Sequence, residues 1–449
     1  MKIVLLGAGE VGQYLAHHLS SRGEEVVVVD LSPDRLRRAE EDADALTLCG
    51  DATHRSVLRE AQVHKADLVV ALTGRDEVNV VAAALAAQVG AERSVARVDA
   101  PSFYSTDASI ENDVLGIHSV LCASRLVSEE LLRGIDEIHA DSASYCAANT
   151  LEVARVPLGA RSPFIGKNPS RIELGRGVAI SAVMSGPLLH PSYEHDRLEE
   201  GDAVVLSGTP EAVSIAMLQV QGRRAGRRAV IVGGGDVGLQ LAQRLQRIGK
   251  PVQIIEADRR RCEELAAQLP GITVVHGDGT SIAVLQDQRV DASDYLVAVT
   301  RADEVNLMAA LMARDLGVTR TFALVHRPGY AHVYRHLGIS GTAGPHLVIG
   351  EMVDWLLPRG EAMVSQPFGD TGYALCEKQI PTSFGRRLER RDLALPSGAL
   401  VLGVVGADGS LEKTDAEITA GATIVLAVPS QAIKDTDKAL RTALRRGRG

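Results

Sequence analysis

Aromatic residues are nearly missing from this chain: Phe, Trp and Tyr together make up 3% of its 449 residues. A core without them has to be built from Val, Leu, Ile and Ala, which suits buried parallel strands covered by Ala-rich helices. Cysteine is scarce as well. Cys49, Cys122, Cys146, Cys262 and Cys376 form no CxxC pair, so neither a zinc nor a disulfide framework is expected and the thiols are read as free. No stretch reaches the ~18 apolar residues that would suggest a membrane span. The opening MKIVLLGAGE resembles a secretory leader for six residues only, until Gly7, Gly9 and Glu10 interrupt it, and a cytoplasmic protein is expected. Positive charge is not in excess either. A formal net charge of −9 offers no basic surface for nucleic acid.

What remains is an ordinary globular composition, 45% hydrophobic and 23% charged, in a chain long enough for roughly three or four domains. The strongest signal is internal. KIVLLGAGEVG at 2–12 returns as RAVIVGGGDVG at 228–238, so that Gly7, Gly9 and Gly12 recur as Gly233, Gly235 and Gly238, an offset of 226. Asp30 and Glu256 each end the next apolar run, 18 residues beyond the third glycine. Gly50-Asp51-Ala52-Thr53 becomes Gly277-Asp278-Gly279-Thr280, and ADLVVALTGRDEVN becomes SDYLVAVTRADEVN, pairing Thr73, Asp76 and Asn79 with Thr300, Asp303 and Asn306 at an offset of 227. Ordered agreement of this kind marks a tandem duplication. After each copy come short apolar runs between Pro and Gly turns, such as LEVARV and DAVVLSG, then YALCEKQI and TIVLAV. The expected fold class is α/β, two Rossmann-type parallel-sheet domains each followed by a small α+β accessory domain. The boundaries are set at 1–135, 136–222, 223–350 and 351–449, with a flexible link at Gly222-Arg223-Arg224-Ala225-Gly226.

Each Rossmann-type unit opens with an apolar run of strand length, then GxGxxG, then an Ala/Leu-rich helical segment, the context in which the motif carries meaning. The first glycine permits a tight turn, the second lets a pyrophosphate approach the backbone, and the third lets the helix pack close. Phosphate would sit on the free amides of the helix start. Asp30 and Glu256 are placed to accept from a ribose diol and would repel a 2′-phosphate, which favours NAD(H) or an adenosine nucleotide over NADP(H). Asp51 and Asp278 fall near the expected adenine position, and Thr73 and Thr300 end the fourth strands. Asp76 and Asp303 fit helix capping or structural hydrogen bonding as well as ligand contact.

Catalytic machinery is harder to find. A dehydrogenase needs an acid/base in a suitable setting, and the histidines offer none: His326, His332 and His336 form a loose run without a repeated carboxylate partner, and Cys49 is His276 in the other copy. The expectation is a protein that binds without catalysing.

The order GAGEVG, Asp30, GDAT, ALTGRDEVN and ARVDAP resembles the regulator-of-potassium-conductance (RCK, or KTN) domain. Two such domains in one chain, over roughly residues 1–430, are similar to the peripheral subunits of bacterial Trk potassium uptake systems. The resemblance implies a cytoplasmic homo-oligomeric ring, expected as a tetramer. It would dock on the inner face of the cell membrane under a Trk-type potassium-translocating subunit, and NAD(H), ATP or ADP would change its shape. Carried over residue by residue, it implies a first nucleotide site of Gly7, Gly9, Glu10, Val11, Gly12, Asp30, Asp51, Ala52, Thr73 and Arg97. The second would comprise Gly233, Gly235, Asp236, Val237, Gly238, Glu256, Asp278 and Thr300. Arg97 aligns with Leu324, so the second site lacks a guanidinium there and the halves are expected to differ in ligand preference. In the small domains Gly166-Lys167 and Phe384-Gly385-Arg386 fit a turn into a helix, and Arg441, Arg445, Arg446 and Arg448 make a basic tail suited to solvent or anionic lipid. Rival readings are an NAD-dependent oxidoreductase, disfavoured by two equivalent glycine loops without an acid/base, and a regulator of another cation transporter.

Overall fold

The computed structural model describes all residues except 104–114, 137–141, 148–149, 223–227, 358–362, 382–383, 386, 407–409, 413–416 and 446–449. The expected link at Arg223, Arg224, Ala225 and Gly226, and Arg386, Arg446 and Arg448, lie outside the described residues.

The chain opens with β1 (Lys2–Leu6), α1 (Glu10–Ser21), β2 (Glu25–Asp30), α2 (Pro33–Asp42), β3 (Ala45–Cys49), α3 (Arg55–Glu60), β4 (Leu68–Ala71), α4 (Asp76–Val89), β5 (Ser94–Val98), β6 (Ser119–Cys122) and α5 (Ala123–Asp136). The strands form one parallel sheet in the order β3-β2-β1-β4-β5-β6. Its central strands are apolar without alternation because helices cover both faces. On α1, Val11, Leu15, Ala16 and Leu19 face inward, and on α4 Ala82, Ala83 and Ala86 are buried. The strand order reverses between β1 and β4, and open α/β sheets bind ligands outside the carboxyl ends of strands at such a point.

An antiparallel sheet follows, β10-β9-β11-β8-β7, from β7 (Ser142–Cys146), β8 (Leu151–Pro157), β9 (Val178–Ser185), β10 (Leu188–Pro191) and β11 (Ala203–Gly208), with α6 (Pro210–Val220) against it. The second parallel sheet repeats the first as β14-β13-β12-β15-β16-β17. It is built from β12 (Ala229–Val232), α7 (Asp236–Arg247), β13 (Val252–Glu256), α8 (Arg259–Gln268), β14 (Thr273–His276), α9 (Ile282–Asp287), β15 (Tyr295–Ala298), α10 (Asp303–Asp315), β16 (Arg320–Leu324), α11 (Ala331–His336), β17 (Gly341–Ala343) and α12 (Pro345–Leu356). The chain ends in a second antiparallel sheet, β18-β19-β21-β20, with β18 (Val364–Pro367), β19 (Tyr373–Gln379), β20 (Leu400–Val405), β21 (Thr423–Pro429) and α13 (Ile433–Arg445). The fold is therefore two Rossmann-type sheets, each followed by a small antiparallel domain. Among the described residues no helix is long and apolar enough to cross a membrane.

Contacts regroup these pieces across the duplication. One compact unit joins Met1–Leu132 to Arg227–Leu357, and the other joins Arg133–Gly226 to Pro358–Gly449. Positions 135 and 350, where boundaries are expected, lie within α5 and α12, each of which begins just after the sixth strand of its sheet. Helix α12 lies against α1 of the other Rossmann-type domain. Tyr14 meets the His346 ring edge-on at 5.2 Å, and Asp354 accepts from Arg22 at 2.5 Å and faces His18 Nε2 at 2.9 Å. A Cβ on Gly350 would stand 3.0 Å from the Tyr14 ring, so the small residue permits the crossing. In the reverse direction Glu129 on α5 accepts from Arg244 on α7 at 2.7 Å. The second unit has a core shared by its two sheets, with Leu151, Val153 and Val205 packed among Phe368, Leu375, Leu402 and Val425.

The repeats differ by paired changes of volume. Ala8 and Ala39 of the first copy correspond to Gly234 and Leu265, and a Cβ on Gly234 would lie 2.2 Å from Leu265 Cδ1, on a fully buried side chain. Likewise Leu6 and Ala52 become Val232 and Gly279, where a Cβ would meet Val232 Cγ1 at 2.2 Å. We expect Gly234→Ala alone to cost about 1–3 kcal/mol by overpacking and Leu265→Ala alone about 2–5 kcal/mol by cavity formation. The double variant, which restores the first-copy pair, should cost less than the sum by about 1–2 kcal/mol. Denaturant titration of the four proteins measures this, and additive losses would refute it. Burial pushes the imidazole of His346, 1% exposed, down to about 4 from the ordinary 6.5. The unfolded chain takes up that proton below pH 6.5 while the folded chain resists it, so stability present above pH 6.5 drains away as pH falls toward 4, by about 3 kcal/mol in full. His346→Phe should flatten that part of the stability–pH curve.

Candidate functional site

The two glycine turns are built alike, and their glycines are required for different reasons. Gly7 has φ +124°, and a Cβ there would come within 2.9 Å of the Leu72 carbonyl carbon and the Thr73 amide at the end of β4. Gly12, inside the first turn of α1, would press a Cβ to 2.0 Å from the Gly7 carbonyl oxygen. Both are therefore demanded by the chain itself. Gly9 is not. Its φ of −72° and ψ of −174° are open to any residue, and a Cβ would meet nothing within 4 Å. Gly233 (φ +104°), Gly238 (2.1 Å from Gly233 O) and Gly235 (nothing within 4 Å) repeat the pattern. Gly9 and Gly235 are the N-caps of α1 and α7 and supply no side-chain cap, which leaves the first helical amides open. Glu10 and Asp236 sit in those first turns, followed by Val11 and Val237.

The carboxylates at the ends of the second strands hold these turns in place. Asp30, whose side chain is 9% exposed, accepts from the Ala8 amide at 2.7 Å with Oδ2 and from the Ser32 amide at 2.8 Å with Oδ1. Glu256 does the same with one more methylene, accepting from Gly234 at 2.5 Å and Asp258 at 2.8 Å. Each oxygen keeps a further lone pair for a ligand hydroxyl. Asp51 and Asp278 each accept hydrogen bonds from the backbone amide and hydroxyl of Thr53 and Thr280, and these bonds, the amide first, hold their pKa below the usual carboxylate value.

Behind the turns, buried asparagines join the fourth and fifth strands. Asn79 accepts from the Thr73 amide and hydroxyl at 2.7 and 2.6 Å and donates to the Thr73 and Arg97 carbonyls at 3.0 and 2.8 Å. Asn306 makes the same four bonds to Thr300 and Leu324. Asp76 accepts from the Asp99 and Ala100 amides, so its described contacts are structural. Asp303 accepts from the His326 and Arg327 amides and also faces the His326 ring at 2.9 Å. Burial works to raise its pKa, but these donors outweigh it and hold the carboxyl below its ordinary value. The sequence had offered no carboxylate partner for His326. The signal lay in the repeat: His326 is the copy of Asp99 and Asp303 the copy of Asp76, and in the first copy Asp76 accepts from the Asp99 amide at 3.0 Å.

A cleft of about 370 Å³ opens at the first site, between the ends of β1, β2 and β4. It brings together Gly7, Asp30, Asp51, Ala52 and Thr73 of the expected residues, and adds Ser32 and Arg35. Gly9, Glu10, Val11, Gly12 and Arg97 are not among its walls. Ser32 and Arg35 were legible as a cap and a first-turn residue of α2, since the Ser32 hydroxyl accepts from the Arg35 amide, but nothing in their spacing pointed to a ligand.

A family model described as the TrkA-N domain matches residues 3–122 and again residues 229–345, together just over half of the chain. The chain belongs to the TrkA-N family. Its two TrkA-N domains coincide with the two parallel sheets. The chain is similar along its length to the Trk system potassium uptake protein TrkA homolog 1 of Methanosarcina mazei, 27% identical over 98% of this chain and 99% of that one. It is also similar to the Trk system potassium uptake protein TrkA of Azorhizobium caulinodans, 28% identical over 99% of both. Among solved structures, the GsuK RCK domain matches with a TM-score of 0.58 at 20% identity, covering 98% of this chain and 95% of that one. The GsuK channel bound to NAD matches with the same score and identity, covering 98% and 79%. At that identity the likeness is one of fold, the tandem RCK arrangement. In both TrkA-N domains the buried asparagine is expected to be structural: Asn306→Ala leaves the Thr300 and Leu324 backbone groups without partners and should cost about 3 kcal/mol in denaturant titration.

Proposed function

We propose that this chain is a cytoplasmic nucleotide-responsive regulatory subunit of a Trk-type potassium uptake transporter, with one nucleotide site per TrkA-N domain. The observation that carries the reading is the second glycine of each turn. Gly9 and Gly235 have ordinary backbone angles and open space where a side chain would go, so nothing within the chain calls for glycine there. A ligand backbone pressed against the turn does call for it. The turn faces uncapped helix amides suited to phosphate, beside a carboxylate suited to a ribose diol.

The proposed ligands are NAD(H) and ATP or ADP, acting as effectors and not as reactants. In the first site Gly7, Gly9, Glu10, Val11 and Gly12 would meet the phosphates, Asp30 the ribose, Asp51 and Ala52 the adenine, and Thr73 and Arg97 the far edge. Gly233, Gly235, Asp236, Val237, Gly238, Glu256, Asp278 and Thr300 would take the corresponding places in the second. The partner is a Trk-type membrane subunit, approached by a homo-oligomeric ring of four chains on the inner face of the membrane, with domains divided near 135, 222 and 350. A nucleotide that prefers one of two ring conformations shifts the balance between them, and the attached membrane subunit follows.

Gly9→Val should cost about 1 kcal/mol of stability, since valine ranks well below glycine at an N-cap although the backbone angles and the open space admit it. The same change should weaken calorimetric binding of NADH or ATP at the first site at least tenfold. Asp30→Ala should weaken binding and also lower stability, because it frees two backbone amides. Unchanged affinity in Gly9→Val would remove the assignment, and potassium flux through a co-purified membrane subunit that ignores all of ATP, ADP, NAD and NADH would remove the function.

A further inference from the structure

The cleft at the first site has room for the nucleoside end of a ligand. Its volume of about 370 Å³ lies at the small end of the ~300–1,000 Å³ range of ligand pockets. Gly9, Glu10, Val11 and Gly12, assigned to phosphate, are not among its walls. Two side chains in those walls stand open. Leu31 follows Asp30 directly and is 69% exposed, and Arg35 is 57% exposed with Asp30 at 3.9 Å as its ion-pair partner. An apolar side chain and a planar cation are the two kinds of surface that pack on the flat face of a base.

The second copy keeps the backbone and loses that surface. Cys49 Sγ lies 3.8 Å from the Leu31 carbonyl and His276 Nε2 lies 3.0 Å from the Ala257 carbonyl, so the chain leaves the second strand alike in both copies. The side chain there is nonetheless a methyl in place of leucine. Arg261, the copy of Arg35, is drawn onto the glycine turn: its Nε donates to the Gly234 carbonyl at 2.8 Å and its Nη1 to Glu264 at 3.0 Å. Two positions account for the contrast. In the first copy Gln13 Nε2 donates to the matching Ala8 carbonyl at 3.0 Å, where the second copy has Leu239, and Arg38 stands in place of Glu264.

We infer that Leu31 and Arg35 hold the base at the first site, and that the second site, with Ala257 and a tethered Arg261, binds its nucleotide without that hold. The inference rests on the nucleotide reading given above. Contact with a base face does not depend on phosphate charge, so adenosine by itself is a ligand of the first site. The second site is left with the Glu256 carboxylate for the ribose and the open amides of α7 for phosphate. The two copies therefore read different parts of the same molecule. A nucleoside occupies the first and passes over the second.

Calorimetry on the full chain with ADP, with adenosine read by its displacement of ADP, tests this. Gly235→Val silences the second site so that the first is read alone, and Gly9→Val does the reverse. In the Gly235→Val background, Leu31→Ala should weaken adenosine and ADP by the same factor, about fivefold, while Leu31→Met stays near the parent. Arg35→Lys keeps the charge and loses the plane, and should weaken both about threefold, whereas a role on phosphate would spare adenosine. In the Gly9→Val background, Ala257→Leu should tighten ADP about threefold. Adenosine that fails to displace ADP from the first site, an ADP loss that adenosine does not share, or unchanged binding in Leu31→Ala overturns the base-holding role. If instead neither glycine variant weakens ADP binding, it is the nucleotide reading of the turns that fails. Leu31, Arg35 and Ala257 are exposed, and a denaturation midpoint for each variant separates lost binding from lost folding.

Discussion

Everything at the glycine turns depends on how closely α1 and α7 lie on the turns that precede them. A Cβ at Gly12 or Gly238 would come within about 2 Å of the carbonyl of the first glycine, so the helix starts in contact with its own turn. That contact aims the open amides of the helix across the carboxyl end of the sheet. It also forces the first glycine into a left-handed conformation against the end of the fourth strand. With two of the three glycines fixed by packing, the middle one is left without an internal reason, which is what makes it informative.

Around that contact the protein uses hydrogen bonds that a sequence motif does not describe. The acidic residue at the end of the second strand holds the turn and the following helix through two backbone amides, and only its remaining lone pairs are available to a ribose. The asparagine of the fourth helix holds two strand ends together from within the core. These roles recur in both copies with nearly the same distances, although the surrounding residues have changed. The changes are coupled: a methyl lost at Gly234 is matched by bulk gained at Leu265, and branching gained at Val232 by a methyl lost at Gly279. Close packing leaves no other course, because a volume change that is not compensated costs stability on either side.

The duplicated sequence invites a picture of two successive halves, yet the contacts pair like with like. The TrkA-N domains cluster together and the small antiparallel domains cluster together. In the first cluster α5 and α12 carry charges to the first helix of the opposite TrkA-N domain, Glu129 to Arg244 and Asp354 to His18 and Arg22. The proposed regulatory role draws on such an arrangement, because a nucleotide bound at either turn would lie at the start of a helix that also forms the seam.

Much was legible in advance. The repeat, the glycine turns, the acidic strand ends and the Rossmann alternation follow from local constraints: backbone angles, strand and helix periodicity, and spacing along a chain. Gly7, Asp30, Asp51, Ala52 and Thr73 converge on one cleft as their positions at successive strand ends imply. Arg97 lies outside the walls of that cleft, bound to Asp99, and Arg35 stands inside them, since a long side chain is directed by its neighbours and not by its place in a motif. The same physics separates Arg35 from Arg261, since Glu264 anchors Arg261 one helical turn away and Gln13 takes the Ala8 carbonyl that matches the one Arg261 binds at Gly234. Sequence alone determined the two copies and the turns that define them. Tertiary structure decided which copies pack together and where each guanidinium rests, because both depend on contacts between residues far apart in the chain.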